Sequence, residues 1–230
     1  REDAATPGKP VLEVSDLCVI GDRGHLAVQD VTFDIKAGEI LGIAGVAGNG
    51  QRELVEVLTG LRKANSGAIR MLGHDVINAS SREISSLGVA YIPEDRLAIG
   101  VVSEMSVSEN LILRKYWNSP FSKGVFLDEK AVENYSKEMI SDYDIMTPSG
   151  STPVRKLSGG NIQRLILARE TSGDPKLIIA SHPTSGLDVK AADEIRGRLL
   201  KATGKGASVL LNSEDLDEIF ELGDRIAVMT

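Results

Sequence analysis

The stretch Gly45-Val46-Ala47-Gly48-Asn49-Gly50-Gln51-Arg52 combines residue types and spacing that suit a chemistry. Glycines at 45, 48 and 50, with Asn49 among them, let backbone N–H groups converge, and a helix starting there adds partial positive charge; together these suit a phosphate group. The pattern G-x-x-x-x-G-K-[ST] lies over Gly45 to Arg52, but Gln51 stands where lysine would reach phosphate and Arg52 where a hydroxyl would hold Mg²⁺. The frame is kept and the charged groups are changed, so this stretch alone fits a tight structural turn as well as a phosphate cradle. A second stretch, Leu157-Ser158-Gly159-Gly160-Asn161, is followed by apolar Ile162, Leu165, Ile166 and Ala168 at helical spacing. Ser158 reads as the N-cap, and the two glycines let amides approach an anion closely, with the serine hydroxyl as a further donor. A capped helix after a flexible connection accounts for the same residues.

The elements that must position these loops follow from the apolar pattern. Val11 to Val14 and Val28 to Ile35 read as strands, the second closed by a turn at Ala37-Gly38, and Glu39 to Ala44 reads as a buried strand entering the glycine loop. Leu54, Val55, Leu58 and Leu61 then recur at helical spacing. Further strands are expected at Ala68 to Leu72, Val89 to Ile92, Leu177 to Ala180, Ser208 to Leu211 and Arg225 to Met229. From about Val101 to Thr152 the strand signal gives way to helical patterns, notably Asp128 to Ile145, and the stretch ends in the linker-like Thr147 to Pro153. Alternating strands and helices of this kind specify an α/β domain. The expected division is a linker at 1–10, a core of 11–100 and 153–230, and a helical subdomain at 101–152.

Composition narrows the function classes. In 230 residues, 26 Lys+Arg against 33 Asp+Glu give a formal net charge of −7. That balance disfavours a nucleic acid partner, which needs a basic face. No apolar run approaches the ~18 residues of a membrane span. The one cysteine, Cys18, lies in the apolar run Leu17 to Ile20 and is expected to be a buried, inert thiol. The opening Arg1-Glu2-Asp3, without methionine, reads as part of a longer polypeptide.

A third stretch joins the first two: Leu177-Ile178-Ile179-Ala180-Ser181-His182-Pro183-Thr184-Ser185-Gly186-Leu187-Asp188. The ordered set of glycine loop, L-S-G-G-N helix, apolar strand and P-T-x-G-L-D resembles the nucleotide-binding domain of ABC transporters over nearly the whole chain. The resemblance implies a P-loop NTPase (RecA-like) ABC ATPase core with an inserted helical subdomain. It implies nucleotide contacts at Gly45, Gly48, Asn49, Gly50, Gln51 and Arg52. It also implies a signature loop, Ser158, Gly159, Gly160 and Asn161 with Asp188, that acts on the ATP held by a second domain. Several positions depart from the family pattern. Ser181 and His182 replace the carboxylates that organise Mg²⁺ and polarise water, Glu214 replaces the switch histidine, and Glu94 takes the place of the nucleotide-sensing glutamine. The adenine-stacking aromatic expected near Ile20 to Asp22 is absent. No residue of the chain itself is therefore assigned to catalysis or to a metal.

The closer resemblance is to the second half of tandem ATPase subunits of bacterial importers for simple sugars and nucleosides. It rests on L-S-G-G-N, on Pro93-Glu94-Asp95-Arg96 and on the altered glycine loop, and the nucleoside branch fits better. What this implies is ATP at a shared dimer interface with Mg²⁺ at the partner site only. The implied partners are a second ABC ATPase domain, N-terminal in the same polypeptide, membrane permease subunits and, indirectly, a solute-binding protein. The implied location is peripheral, on the cytoplasmic face of the bacterial inner membrane. The alternatives are a self-sufficient ATPase, with His182 as base and Arg52 supplying the charge of Mg²⁺, and a non-transport ABC protein of DNA repair or translation. Tyr116, Trp117, Phe121 and Phe126 fit a cleft for a permease helix and a small satellite core equally.

Overall fold

The computed structural model describes residues 8–124 and 126–230, so most of the linker expected at 1–10 lies outside the described residues, and Pro10 already opens the first strand. In chain order the elements are β1 (Pro10–Ile20), β2 (Leu26–Lys36), β3 (Ile40–Gly45), α1 (Gln51–Leu58), β4 (Ser66–Met71), β5 (His74–Asp75), α2 (Ser81–Ser86) and β6 (Val89–Ile92). A π-helical turn (Arg96–Gly100), α3 (Val107–Ile112), β7 (Ser122–Lys123), β8 (Phe126–Leu127), α4 (Glu129–Asp142), a 3₁₀ turn (Val154–Lys156) and α5 (Gly159–Thr171) follow. The chain closes with β9 (Leu177–Ser181), α6 (Val189–Gly204), β10 (Ser208–Asn212), α7 (Leu216–Leu222) and β11 (Arg225–Met229). Two units result, one built from the chain up to Tyr91 with Asp174–His182 and Arg196–Thr230, the other from Ile92–Gly173 with Pro183–Ile195.

The first unit holds two sheets. An antiparallel one has the order β2-β1-β4-β5, and a five-stranded one has the order β11-β3-β10-β9-β6, with β3, β9, β10 and β11 paired in parallel. Every residue of β9 and β10 is buried, as expected of parallel strands covered on both faces. β1 runs on past the expected end at Val14 because its pairing with β2 is irregular between Val14 and Leu17, with Asp16 at φ 48°. That bulge shifts the alternation by one residue, so Leu12 and Val14 before it and Leu17 and Val19 after it all point inward. Cys18 is therefore turned outward rather than buried. Its Sγ lies only part-covered and donates to Asp30 Oδ1 at 3.2 Å. Helix α1 buries Leu54, Val55, Val57 and Leu58, each contributing about 1.5–3 kcal/mol on full burial. This packing anchors the helix into which the glycine loop feeds.

In the second unit α3 packs against α4 and α5. Asn110, fully buried, accepts from Val102 N at 2.9 Å and donates to the carbonyls of Val102, Met105 and Ser106. Asp128 caps α4 by accepting from Ala131 N at 3.1 Å, and Asp144, at φ 49°, stands where the expected helical stretch to Ile145 has already ended. β7 and β8 form a two-stranded ribbon inside the region expected to lack strands. Phe121 is 5% exposed and packs edge-on against Tyr135 at 5.0 Å, whereas Tyr116, Trp117 and Phe126 are exposed.

Candidate functional site

Parallel pairing decides what stands beside the glycine loop in the first unit. β10 lies between β3 and β9, and its last residue, Asn212, is level with Ile43 on one side and Ser181 on the other. The loops leaving the carboxyl ends of these strands therefore gather at one edge of the sheet, where ligands bind in open α/β folds. They are the glycine loop, Ser181-His182, and the segment from Ser213 to Asp215.

The glycine loop has the backbone its sequence requires. Gly48 and Gly50 sit at φ 94° and 92°, and a side chain at Gly50 would collide with the Ala27 carbonyl of β2. Asn49 N donates to Val46 O at 3.2 Å, and Asn49 Nδ2 donates to Met229 O at 3.2 Å, tying the loop to the end of β11. Gln51 is buried at 8% exposure and folds back over the loop, donating from Nε2 to Val46 O at 3.2 Å. It takes up the space beside Gly45, where any β-carbon would strike the same amide. Arg52 points away, with Nε donating to Glu56 Oε1 at 2.8 Å and Nη2 lying 3.6 Å from Asp22. Arg62 completes the group by pairing with Glu56 at 2.7 Å and Asp22 at 2.5 Å. The Glu56 hydrogen bond and charge hold the Arg52 guanidinium above its ordinary pKa, and the Arg62 hydrogen bond holds the Asp22 carboxyl below its own. A chain of four charges thus stands at Ile20 to Asp22, where the sequence lacks an adenine-stacking ring.

Ser181 is buried, and Asn212 Nδ2 donates to its Oγ at 3.1 Å while lying 3.4 Å from His182 Nε2. His182 adopts φ 46° and donates its backbone N–H to Asn212 O at 2.8 Å, so strand β10 sets its position. Glu214 is exposed and precedes α7. The cap of that helix is Asp215, which accepts from the N–H groups of Asp217 and Glu218. Ser213 instead donates to the buried Glu218 at 2.7 Å.

The second unit carries the other set. Ser158 is exposed and caps α5, its Oγ accepting from Asn161 N at 3.4 Å and from Asn161 Nδ2 at 3.0 Å. Asn161 Oδ1 in turn accepts from Met146 N at 2.9 Å and Arg164 Nη1 at 3.2 Å, which fixes the asparagine between two segments. A β-carbon at Gly160 would meet nothing within 4 Å, so the first turn of α5 is open on that side. Asp188 caps α6 by accepting from Ala191 N at 3.0 Å. Glu94 is exposed, and the next residue, Asp95, accepts from Leu97 N and Ala98 N and so shapes the following turn. Sequence reasoning missed Asn212, Gln163 and Arg96. Only Arg96 carried a signal, as the arginine of Glu94-Asp95-Arg96.

A parallel sheet with a glycine loop running from β3 into α1 at its carboxyl edge defines a P-loop type of α/β nucleotide-binding domain. The chain belongs to the ABC transporter family, whose model matches residues 28–185. It is 43% identical over 98% of its length to the nucleoside import ATP-binding protein NupA of Lactococcus lactis subsp. cremoris, covering 45% of that protein. It is 42% identical over 98% of its length to the guanosine import ATP-binding protein NupO of Bacillus subtilis, covering 44%. Against the glucose import ATP-binding protein TsgD13 of Haloferax volcanii it is 42% identical over its full length, covering 42%. The chain thus spans less than half the length of these curated relatives. Among solved structures, a dimeric bacterial ABC transporter cassette superposes with a TM-score of 0.79 at 20% identity, over 95% of this chain and 94% of that one. A nucleotide-free ATP-binding cassette from an ABC transporter superposes with 0.78 at 23% identity, over 96% and 87%.

Proposed function

We propose that this chain is the ATP-binding domain of an ABC import ATPase whose own nucleotide site is degenerate. In this reading Ser158, Gly159, Gly160 and Asn161, with Asp188, serve the ATP site of a second ABC domain, N-terminal in the same polypeptide. The contrast between the two loops carries the reading. The signature loop keeps an exposed, capped serine and an open glycine face, whereas Gln51 is buried against Val46 and Arg52 is committed to Glu56 and Asp22. A hard cation takes oxygen ligands, and the two positions that would hold Mg²⁺ present a guanidinium and a hydroxyl already bonded by Asn212. These residues do not fit the ion, so Mg²⁺ is assigned to the partner site alone.

The nucleoside, guanosine and glucose import functions of the relatives support uptake of a nucleoside, or of a simple sugar, as the process energised. Their length, more than twice what the chain covers, leaves room for a second cassette. The proposed partners are membrane permease subunits and, through them, a solute-binding protein. The proposed place is peripheral, on the cytoplasmic face of the bacterial inner membrane. Among the described residues no helix is long and apolar enough to cross a membrane. The division into a core at 11–100 and 153–230 and a helical subdomain at 101–152 belongs to the same proposal, with Tyr116, Trp117 and Phe126 on its exposed surface.

The test is ATP hydrolysis by the full-length ATPase assembled with its permease. Preorganised donors in a water-excluded site are worth about 2.7–4 kcal/mol, so Ser158→Ala is expected to lower turnover by about two orders of magnitude. Gln51→Ala, at the degenerate position, is expected to change turnover less than about threefold, its side chain serving loop packing rather than charge. Equal losses from the two substitutions would show that both sites turn over.

A further inference from the structure

The turn after β6 is built with more care than a connection requires. Asp95 caps it through Leu97 N and Ala98 N, at 3.1 and 2.8 Å. Gly100 closes it so tightly on α5 that a β-carbon would lie 2.6 Å from Ile166 Cδ1 and 3.3 Å from Pro93. The product of this construction is the placement of one side chain, Arg96. Its Nε donates to Gln163 Oε1 at 2.9 Å, on the signature helix, and its Nη2 donates to the Ser185 carbonyl in the loop leading to Asp188. Gln163 is fully buried and donates from Nε2 to Pro183 O at 2.6 Å, so the same two segments are joined twice. The remaining nitrogen, Nη1, lies 3.6 Å from where a β-carbon of Gly159 would stand. Both partners of Arg96 are neutral, and burial pushes its guanidinium below the ordinary arginine pKa, with no carboxylate among the described residues opposing the shift. A half-buried cation without a counter-charge is costly unless an anion arrives to use it.

We propose that Arg96 is a positioning residue for ATP hydrolysis at the partner site: its planar fork holds the Ser158–Asn161 loop and the 183–188 loop in one register and keeps a positive charge beside Gly159. The proposal rests on the reading that the signature loop serves a partner's ATP. A lysine carries the charge but cannot bond two acceptors in the fixed geometry of a guanidinium. The fork and the charge are therefore separable by substitution.

The experiment uses the full-length ATPase with its permease and compares Arg96→Lys, Arg96→Gln, Arg96→Ala and Ser158→Ala in kcat and KM for ATP, with unfolding midpoints measured alongside. Misplacing groups that act on the transition state lowers kcat and leaves ground-state binding little changed, so Arg96→Lys and Arg96→Gln are each expected to lose about tenfold or more in kcat with KM within about threefold. Arg96→Ala opens a space the size of the lost head group. Added guanidinium is expected to restore its turnover at least about fivefold, and methylammonium less than about twofold, because only the former reproduces the fork. That ligand-specific rescue separates positioning from general destabilisation. Wild-type turnover by Arg96→Lys overturns the proposal, as does equal rescue by the two cations, or failure of guanidinium to rescue a variant that unfolds at the wild-type midpoint. If Arg96→Ala does not fold, Arg96→Lys and Arg96→Gln decide. Loss in Ser158→Ala with none in Arg96→Lys removes the Arg96 role alone, whereas an unaffected Ser158→Ala removes the signature-loop reading and this proposal with it.

Discussion

On the proposed reading, Gln51 and Arg52 are two side chains that keep a loop and surrender its chemistry. Gln51 bonds the Val46 carbonyl and fills the space beside Gly45, so it supplies the loop's internal packing with a neutral amide. Arg52 is spent on Glu56 and Asp22. A charged donor on phosphate is worth about 1.5–3 kcal/mol, which corresponds to about one to two decades in affinity. The double substitution Gln51→Lys with Arg52→Ser is therefore expected to tighten ATP binding by that amount and to bring in a dependence on Mg²⁺, read by nucleotide titration with and without the ion. Turnover is not expected to follow, because Ser181 and His182 offer no carboxylate where the family places its carboxylates, and Glu214 offers no imidazole where the family places its switch histidine. Clear hydrolysis at this site would show that those three positions do not limit it.

Helix caps act at the scale of the element, and α3 illustrates their pH dependence. Ser106 Oγ accepts from Glu109 N at 3.2 Å, and the Glu109 carboxylate accepts from Ser106 Oγ at 2.7 Å and Ser106 N at 2.8 Å. The hydroxyl bond first and the backbone bond second hold the Glu109 carboxyl below the ordinary glutamate range. A group whose folded pKa is depressed binds protons more readily in the unfolded chain, so its contribution is present above the unfolded pKa and disappears as pH falls through the folded one. Ser106→Ala is expected to cost about 1 kcal/mol near neutrality. Glu109→Gln is expected to flatten the loss of stability below about pH 4.3, the ordinary glutamate value. Denaturant unfolding across that pH interval measures both. An unchanged acid slope in Glu109→Gln would assign the acid sensitivity to other carboxylates.

For the molecule as a whole, the first unit carries the glycine loop, Ser181 and His182, and the second carries the signature loop and Asp188. On the proposed reading neither set completes a catalytic site within one chain, so the isolated chain is expected to hydrolyse ATP at background rate at any Mg²⁺ concentration, as measured by phosphate release. Turnover by the pure chain would favour the self-sufficient alternative with His182 as base. Much of this organisation is legible in the residues. Periodicity over a few positions marks β3 and α1, glycine at 50 is demanded by a left-handed turn against β2, and Ser158 announces the start of α5. These signals are local, because backbone preference, strand alternation and capping act over one to four residues. The apolar runs ended β1 at Val14 and placed Cys18 inside, whereas a bulge at Asp16 reverses parity without any change in composition and turns Cys18 outward. The polar partnerships were beyond reach for a different reason. Arg62 finds Asp22 across 40 residues, and Arg96 finds Gln163 across 67 and Ser185 across 89. The sequence by itself determined the main strands and helices, their order and the loops proposed to carry the chemistry. Only the tertiary structure decided which charges are spent within the fold and which face outward, because strand order and helix packing, not spacing along the chain, bring the acceptors into range.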